Sequence, residues 1–254
     1  MDKEKLLERL DDIGQSLERR PHSLALMGLG SVGRELDRLD QYSDLDFFVI
    51  VEDGQKQELL SNLDWVSGVA PVAYCFKNTA DGYKLLFTDG IFCEFAVFEF
   101  AELSGIPFAP GRIVWKRLAV PDSICVPAKR PRCAPRDPEW LLGEALTNLY
   151  VGMARERRGE KLSALRFIQG FAMDRVVELA ALMDGSVNGE SADLFSQDRR
   201  FEKRYPKLAD KLPGCLRGYE GNASSALAIL ALLEEHFSVN KKMSQAIRRL
   251  CSRG

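Results

Sequence analysis

In Gly30-Ser31-Val32-Gly33-Arg34-Glu35 and, four residues on, Asp40-Gln41-Tyr42-Ser43-Asp44-Leu45-Asp46-Phe47, a glycine-rich turn is followed by two aspartates one residue apart. The second aspartate runs directly into Phe47-Phe48-Val49-Ile50-Val51, an aromatic and β-branched run that reads as a buried strand. Side chains alternate along a strand, so Asp44 and Asp46 share one face. Two carboxylates held together in a partly dry site repel one another, and a hard divalent cation such as Mg²⁺ relieves that repulsion. Such a cation usually keeps phosphate oxygens among its other ligands. The glycines allow a backbone to approach a phosphate closely. N–H groups of the turn, the Ser31 hydroxyl and a helix N-terminus just beyond would face the phosphate oxygens, with the Arg34 charge one turn on.

A third acid lies downstream. Glu94 sits in Ile91-Phe92-Cys93-Glu94-Phe95-Ala96-Val97-Phe98, an otherwise apolar strand. If that strand lies beside residues 47–51, Glu94 joins the two aspartates, either as a metal ligand or as the base for an attacking hydroxyl.

Further outward, Leu6, Leu7, Leu10, Ile13 and Leu17 have helical spacing, and Pro21 ends that segment. Residues 23–27 read as a strand, 34–39 as a short helix, 55–63 as a helix and 69–76 as a strand. Asp89-Gly90 between residues 83–88 and 91–98 is a hairpin signal. Residues 112–118 read as a last strand. Residues 107–138 hold seven of the eleven prolines, together with Lys129, Arg130, Arg132 and Arg136. They read as an extended connector, its basic cluster either solvated or turned toward phosphate. Residues 139–157, 162–183 and 224–237 show helical periodicity with no strand signal. Trp140, Tyr150 and Phe171 read as core, or one of them as lining an acceptor pocket. Arg166 and Asp174 share a helix face, as an internal ion pair or with Arg166 reaching a triphosphate. Arg199, Arg200, Lys203 and Arg204 read as a solvated face. The expected fold class is α+β: a mixed sheet with flanking helices over residues 1–136, then an all-helical domain over residues 137–254.

Composition narrows the chemistry. The chain has 254 residues, 46% hydrophobic and 28% charged, with a net charge of -2. No global positive field draws it to a nucleic acid polymer or an anionic membrane. No apolar run approaches the roughly 20 residues that span a bilayer. The charged N-terminus does not read as a signal peptide, and the six scattered cysteines form no C-x-x-C pair. A cytoplasmic protein with reduced thiols is expected. His22 and His236, the two histidines, lack zinc-ligand spacing. Carboxylates are left to carry the chemistry.

Gly30, Ser31, Asp44, Asp46 and Glu94 together resemble the nucleotidyltransferase superfamily related to polymerase β: Gly-Ser, a gap, Asp-x-Asp, then a later acid on a strand. The longer stretch quoted at the outset is similar to the antibiotic nucleotidyltransferases, above all the lincosamide enzymes, with the aminoglycoside enzymes next. Arg199-Arg200-Phe201-Glu202 followed by Pro206 also looks like a stretch found in that group. Two departures stand beside the resemblance. Gly28 and Leu29 precede the Gly-Ser, and the third acid is Glu94 rather than an aspartate. The resemblance implies antibiotic resistance by transfer of a nucleoside monophosphate, AMP by preference, from ATP or another NTP to a hydroxyl of a small molecule. Mg²⁺ is the implied cofactor, with Asp44, Asp46 and Glu94 as catalytic residues and metal ligands. Gly30, Ser31 and Arg34 are the implied nucleotide-binding residues. The helical domain is the implied acceptor-binding part, and the chain could pair as a homodimer.

Three other readings compete. Gly28-x-Gly30-x-x-Gly33, with Glu52 or Asp53 about 20 residues on, also fits a dinucleotide-binding fingerprint on a parallel sheet. That reading leaves Asp44, Asp46 and Glu94 without a purpose. A non-catalytic module of toxin–antitoxin or regulatory type is the second, and an enzyme of the same fold acting on a protein side chain is the third.

Overall fold

Strand order settles the choice between these folds. In the computed structural model, which describes residues 2–129, 136–185, 193 and 196–252, six strands form one mixed sheet. They are β1 (Ser23–Gly28), β2 (Leu45–Val51), β3 (Val72–Lys77), β4 (Gly82–Phe87), β5 (Phe92–Glu99) and β6 (Arg112–Lys116). The order across the sheet is β3-β4-β5-β2-β1-β6. Only β2 and β5 run parallel, and every other neighbouring pair is antiparallel. Among the described residues there is no doubly wound parallel sheet, and the dinucleotide fingerprint falls with it.

The chain divides into two compact units, Met1–Pro131 and Arg132–Gly254. In the first, alternation along β2 builds both faces of the sheet. Leu45, Phe47, Val49 and Val51 face one core, with Cys93, Phe95 and Val97 of β5. The helix α1 (Lys3–Glu18) covers them through Leu6, Leu10, Ile13 and Leu17. The short helices α2 (Lys56–Ser61) and α3 (Asp64–Ser67) add Leu59, Leu60 and Trp65. Phe47 stacks on Phe95 at 5.3 Å, and Trp65 meets Phe95 edge-on at 5.1 Å. Each such side chain contributes about 1.5–3 kcal/mol by leaving water.

The opposite face carries Ala25, Met27, Ile50 and Phe98, under Phe108, Val120, Ile124 and Cys125. Residues 107–126 are therefore a packed covering layer around β6 and not a connector, as their prolines had suggested. Prolines rule out regular ladders there without preventing burial of the apolar residues between them. Lys129 is exposed. Arg130 and Arg132 lie outside the described residues.

The second unit is helical, with no strand among the described residues. Its longer helices are α4 (Pro138–Arg157), α6 (Met173–Asp184), α10 (Asn222–His236) and α11 (Lys241–Ser252), with α5 (Lys161–Leu165), α7 (Phe201–Arg204), α8 (Pro206–Ala209) and α9 (Leu212–Cys215) between them. Asp137 caps α4 by accepting from the Trp140 N–H at 3.2 Å, with Pro138 in the first turn. Leu149, Met153, Ile168, Val176, Leu179, Leu230, Leu233 and Ile247 form its core.

Four expectations need correction here. Trp140, Tyr150 and Phe171 are 47%, 41% and 41% exposed, not core. The buried stripe of α4 runs through Leu141, Ala145, Leu149 and Met153 and leaves Trp140 and Tyr150 off it. A π-helical segment, Arg166–Ala172, interrupts the helix expected over 162–183. It breaks the 3.6-residue period on which a shared face for Arg166 and Asp174 depended, and no ion pair joins those two. Arg204 is buried, 3% exposed, and not part of a solvated face. It donates to the Gln197 carbonyl at 2.5 Å and stacks on Tyr205.

Candidate active site

The site begins where β1 ends. After Gly28 the chain turns, and the Leu29 N–H donates to the Asp46 carbonyl at 2.8 Å, fastening the turn to β2. Gly30–Val32 form a single 3-10 turn, and Leu36–Arg38 another. The short helix expected over residues 34–39 is reduced to that second 3-10 turn, too short to present a helix N-terminus to a phosphate. Glu35 and Arg38 pair with each other instead.

Gly30 has φ +52°, the left-handed region. A Cβ added there would stand 3.7 Å from Asp46 Oδ2, so bare backbone lies against that carboxylate. Gly33 is required for a different reason. Its Cβ would come within 2.8 Å of the Gly28 carbonyl oxygen and 2.9 Å of the Leu29 backbone. From β6, Arg112 donates to the Val32 carbonyl at 3.2 and 3.3 Å and holds the turn down. Ser31 is half-buried within the turn. Arg34 is exposed, and its Nε donates to the Gly111 carbonyl at 3.2 Å.

The parallel pairing of β2 with β5 sets Asp46 directly opposite Glu94. Paired Cα atoms on neighbouring strands lie about 4.8 Å apart. Asp44 lies just before β2 and is half-buried. Leu45, the first residue of β2, is fully buried in the opposite core, which fixes the orientation of Asp46. Cys93, on that opposite core face, is not a reactive thiol. Burial pushes it up to about 12, with Cys75 and the Asp44 and Asp46 charges adding to the effect.

Glu94 has a second neighbour across β4. Lys84 is its cross-strand partner, and the Lys84 ammonium lies 3.0 Å from Glu94 Oε2. The Asn78 side-chain amide donates to Oε1 at 2.9 Å. Both Glu94 oxygens are engaged within the protein. In keeping with this, no group of three or more His, Cys, Asp or Glu among the described residues is arranged to hold a metal ion. What the strand pair offers is two carboxylates, Asp46 and Glu94, in register on adjacent strands beside the bare backbone of Gly30. Carboxylate oxygens are hard donors, of the kind Mg²⁺ takes and soft metals do not.

The fold thus brings together Gly30, Asp46 and Glu94, with Asp44 just before β2 and Ser31 in the adjoining turn. Arg34 is turned toward Gly111. Sequence reasoning missed Lys84, Asn78 and Arg112. For Lys84 a signal existed: Lys84 and Glu94 are each five residues from Asp89, so a hairpin centred on Asp89 pairs them. Asn78 and Arg112 act through contacts that no local pattern announces.

No protein-family profile matches the chain, and no curated protein does. Among solved structures, an aminoglycoside 6-adenyltransferase from Bacillus subtilis is similar at 15% identity and a TM-score of 0.37, over 98% of this chain and 91% of that chain. At that similarity the residues themselves carry any functional reading. No helix among the described residues is long and apolar enough to cross a membrane.

Proposed function

We propose that the chain is a magnesium-dependent nucleotidyltransferase that moves a nucleoside monophosphate, AMP by preference, from an NTP to a hydroxyl of a small acceptor. One observation carries the reading: Asp46 stands opposite Glu94, with the Gly30 backbone turned against the Asp46 carboxylate. The Glu94 side chain keeps about two fifths of its surface exposed, so the acids of this row can meet a ligand from solvent.

Asp44 and Asp46 would hold Mg²⁺, which when bound neutralises charge on the triphosphate. The chain's own residues do the remainder. The Val32 and Gly33 N–H groups close the turn on the Leu29 and Gly30 carbonyls, so the Gly30 and Ser31 N–H groups and the Ser31 hydroxyl are the ones that bind phosphate oxygens, with the Arg34 guanidinium adding positive charge. Glu94 accepts the proton of the acceptor hydroxyl. The acceptor oxygen then bonds to the α-phosphorus as the bond to pyrophosphate breaks. Positioning and electrostatic stabilisation are most of what such a transfer asks of a protein. Acceptor recognition is assigned to the helical unit, and a lincosamide-type antibiotic is the proposed acceptor class.

Asp44→Asn and Asp46→Asn are the test. Each should lower NTP turnover by about two to three orders of magnitude while leaving the fold intact. Near-wild-type transfer by either variant would remove the basis of the mechanism.

A further inference from the structure

The row that carries Asp46 and Glu94 does not end at them. Register runs it on across the sheet, from Asp46 on β2 to Glu94 on β5, Lys84 on β4 and Phe76 on the edge strand β3. A second row beside it joins Phe92, Leu86 and Tyr74. By alternation, Tyr74 and Phe76 therefore lie on the sheet face of the acids. Both rings are open to solvent, 55% and 44% exposed, with their centroids 5.9 Å apart. Leu86 and Phe92 are half-buried and, among the described residues, none of the four belongs to either core of the first unit. An exposed aromatic pair adds nothing to core burial, and on an edge strand it invites unwanted pairing.

We propose that Tyr74 and Phe76 are an acceptor platform of this site: the apolar part of a hydroxyl-bearing small molecule packs on the two rings while its hydroxyl lies at Glu94. This rests on the nucleotidyltransferase reading and deepens it, giving the catalytic unit its own share of acceptor recognition. The order of the strands carries the inference. The glycine turn leaves β1 and is held down from β6 through Arg112 and the Val32 carbonyl, so the phosphates proposed for it lie on the β1 side of Asp46. In an in-line transfer the entering oxygen comes from the side opposite the leaving pyrophosphate. Opposite, in this sheet, means β5, then β4, then β3. Strands stand about 4.8 Å apart, so Phe76 lies about 10 Å from Glu94 across two intervals, the length of two linked rings. Aromatic side chains offer such a molecule a large apolar surface. Lys84 stands between the rings and the acid, its ammonium 3.0 Å from Glu94 Oε2. A polycation lying along this strip would meet a like charge, whereas an acceptor that is apolar there would not.

The test is isothermal titration calorimetry on the full-length protein, with lincomycin and with ATP plus Mg²⁺ as separate ligands. Wild type is compared with Tyr74→Thr/Phe76→Thr, which removes both rings and keeps strand-forming residues. The second comparison is Tyr74→Phe/Phe76→Tyr, which keeps the rings. Loss of both rings should weaken lincomycin binding about tenfold. The ring-keeping variant should bind lincomycin as wild type does, and ATP affinity should be the same in all three proteins. Equal lincomycin affinity without the rings overturns the proposal, as does a wild type that binds no lincomycin. A fall in ATP affinity on loss of the rings, alone or alongside lincomycin, overturns it too, because the rings would then hold the nucleobase. Failure of the underlying reading looks different: the wild-type protein would bind no ATP, and the platform would fall with the reaction it serves. Thermal unfolding identifies a double variant that has not folded. The single variants Tyr74→Thr and Phe76→Thr then take its place, each expected to weaken lincomycin binding about threefold.

Discussion

Gly30 and Gly33 lie three residues apart in one turn, yet a methyl group would act on them through different physics. At Gly33 the obstacle is backbone, with atoms 2.8 and 2.9 Å from the added Cβ. Backbone held on both sides cannot yield cheaply, and overpacking of this kind costs about 1–3 kcal/mol. At Gly30 the nearest atom is an ordinary 3.7 Å away, and the obstacle is φ +52°. A side chain there costs about 1–2 kcal/mol. Gly33→Ala should therefore destabilise the protein at least as much as Gly30→Ala in urea unfolding. Nucleotide affinity should rank them the other way, because the Gly30 methyl stands beside Asp46 where a phosphate is proposed to lie. If Gly30→Ala bound NTP with wild-type affinity, the turn would not be a phosphate cradle. Glycine spacing could suggest a cradle, but not which glycine serves fold and which serves ligand. That distinction depends on distances between segments, and sequence spacing holds no record of them.

Asp89 shows the same division within one hairpin. Asp89-Gly90 announced the β4–β5 turn, and Gly90 has φ +88° as such a turn requires. What the dipeptide could not announce is the partner of Asp89: Lys5 and Arg9 of α1 each approach its Oδ2 at 2.9 Å. Burial tends to push this carboxyl up, but hydrogen bonds from Lys5, the Ile91 N–H and Arg9 outweigh it and hold the group below its ordinary value. A carboxylate depressed in the folded state stabilises at pH above its unfolded value of about 3.9 and loses that contribution as pH falls through the folded value. Asp89→Asn should cost about 1 kcal/mol or less at neutral pH, since the pair is partly solvated. The difference from wild type should close as pH falls below the unfolded value and through the lower folded one. A gap that stayed constant from neutral pH into acid would mean that α1 is held by its apolar face alone. Elements with a strong local signal were legible in this way, including α1, β2, the hairpin and α4. Residues 107–126 were not, because their burial against Ile50 and Phe98 is decided by the sheet, while their prolines speak only of local backbone. The row Asp46, Glu94, Lys84 was half legible. Alternation gave the faces, but the parallel pairing of β2 and β5 is a long-range choice that no short pattern encodes.

For the whole molecule, the remaining choice is the charge of the acceptor. A polycationic aminoglycoside needs acids in excess of those the protein uses for itself. Two of the acids in the helical unit that could serve, Glu178 and Asp174, are poorly placed to do so. Glu178 pairs with Arg175 at 2.6 Å and with Arg136 at 3.4 Å. Burial pushes the Asp174 carboxyl up against the opposing charge of Arg175, with Glu178 and Asp198 adding to the rise. A carboxyl that resists ionisation is a poor anchor for an ammonium group. With a net charge of only -2, the chain also has little long-range field to gather a polycation. A less charged acceptor fits this distribution better, which agrees with the lincosamide class over the aminoglycosides. Incubation of the full-length protein with ATP and Mg²⁺ should add one nucleoside monophosphate to lincomycin, read by mass spectrometry, and leave kanamycin unmodified. Kanamycin modified with lincomycin untouched would reverse the assignment. It would also mean that Glu139 or Glu144, neither of them ion-paired among the described residues, supplies the counter-charge. Glu144→Gln would then raise KM for kanamycin and leave that for ATP where it was.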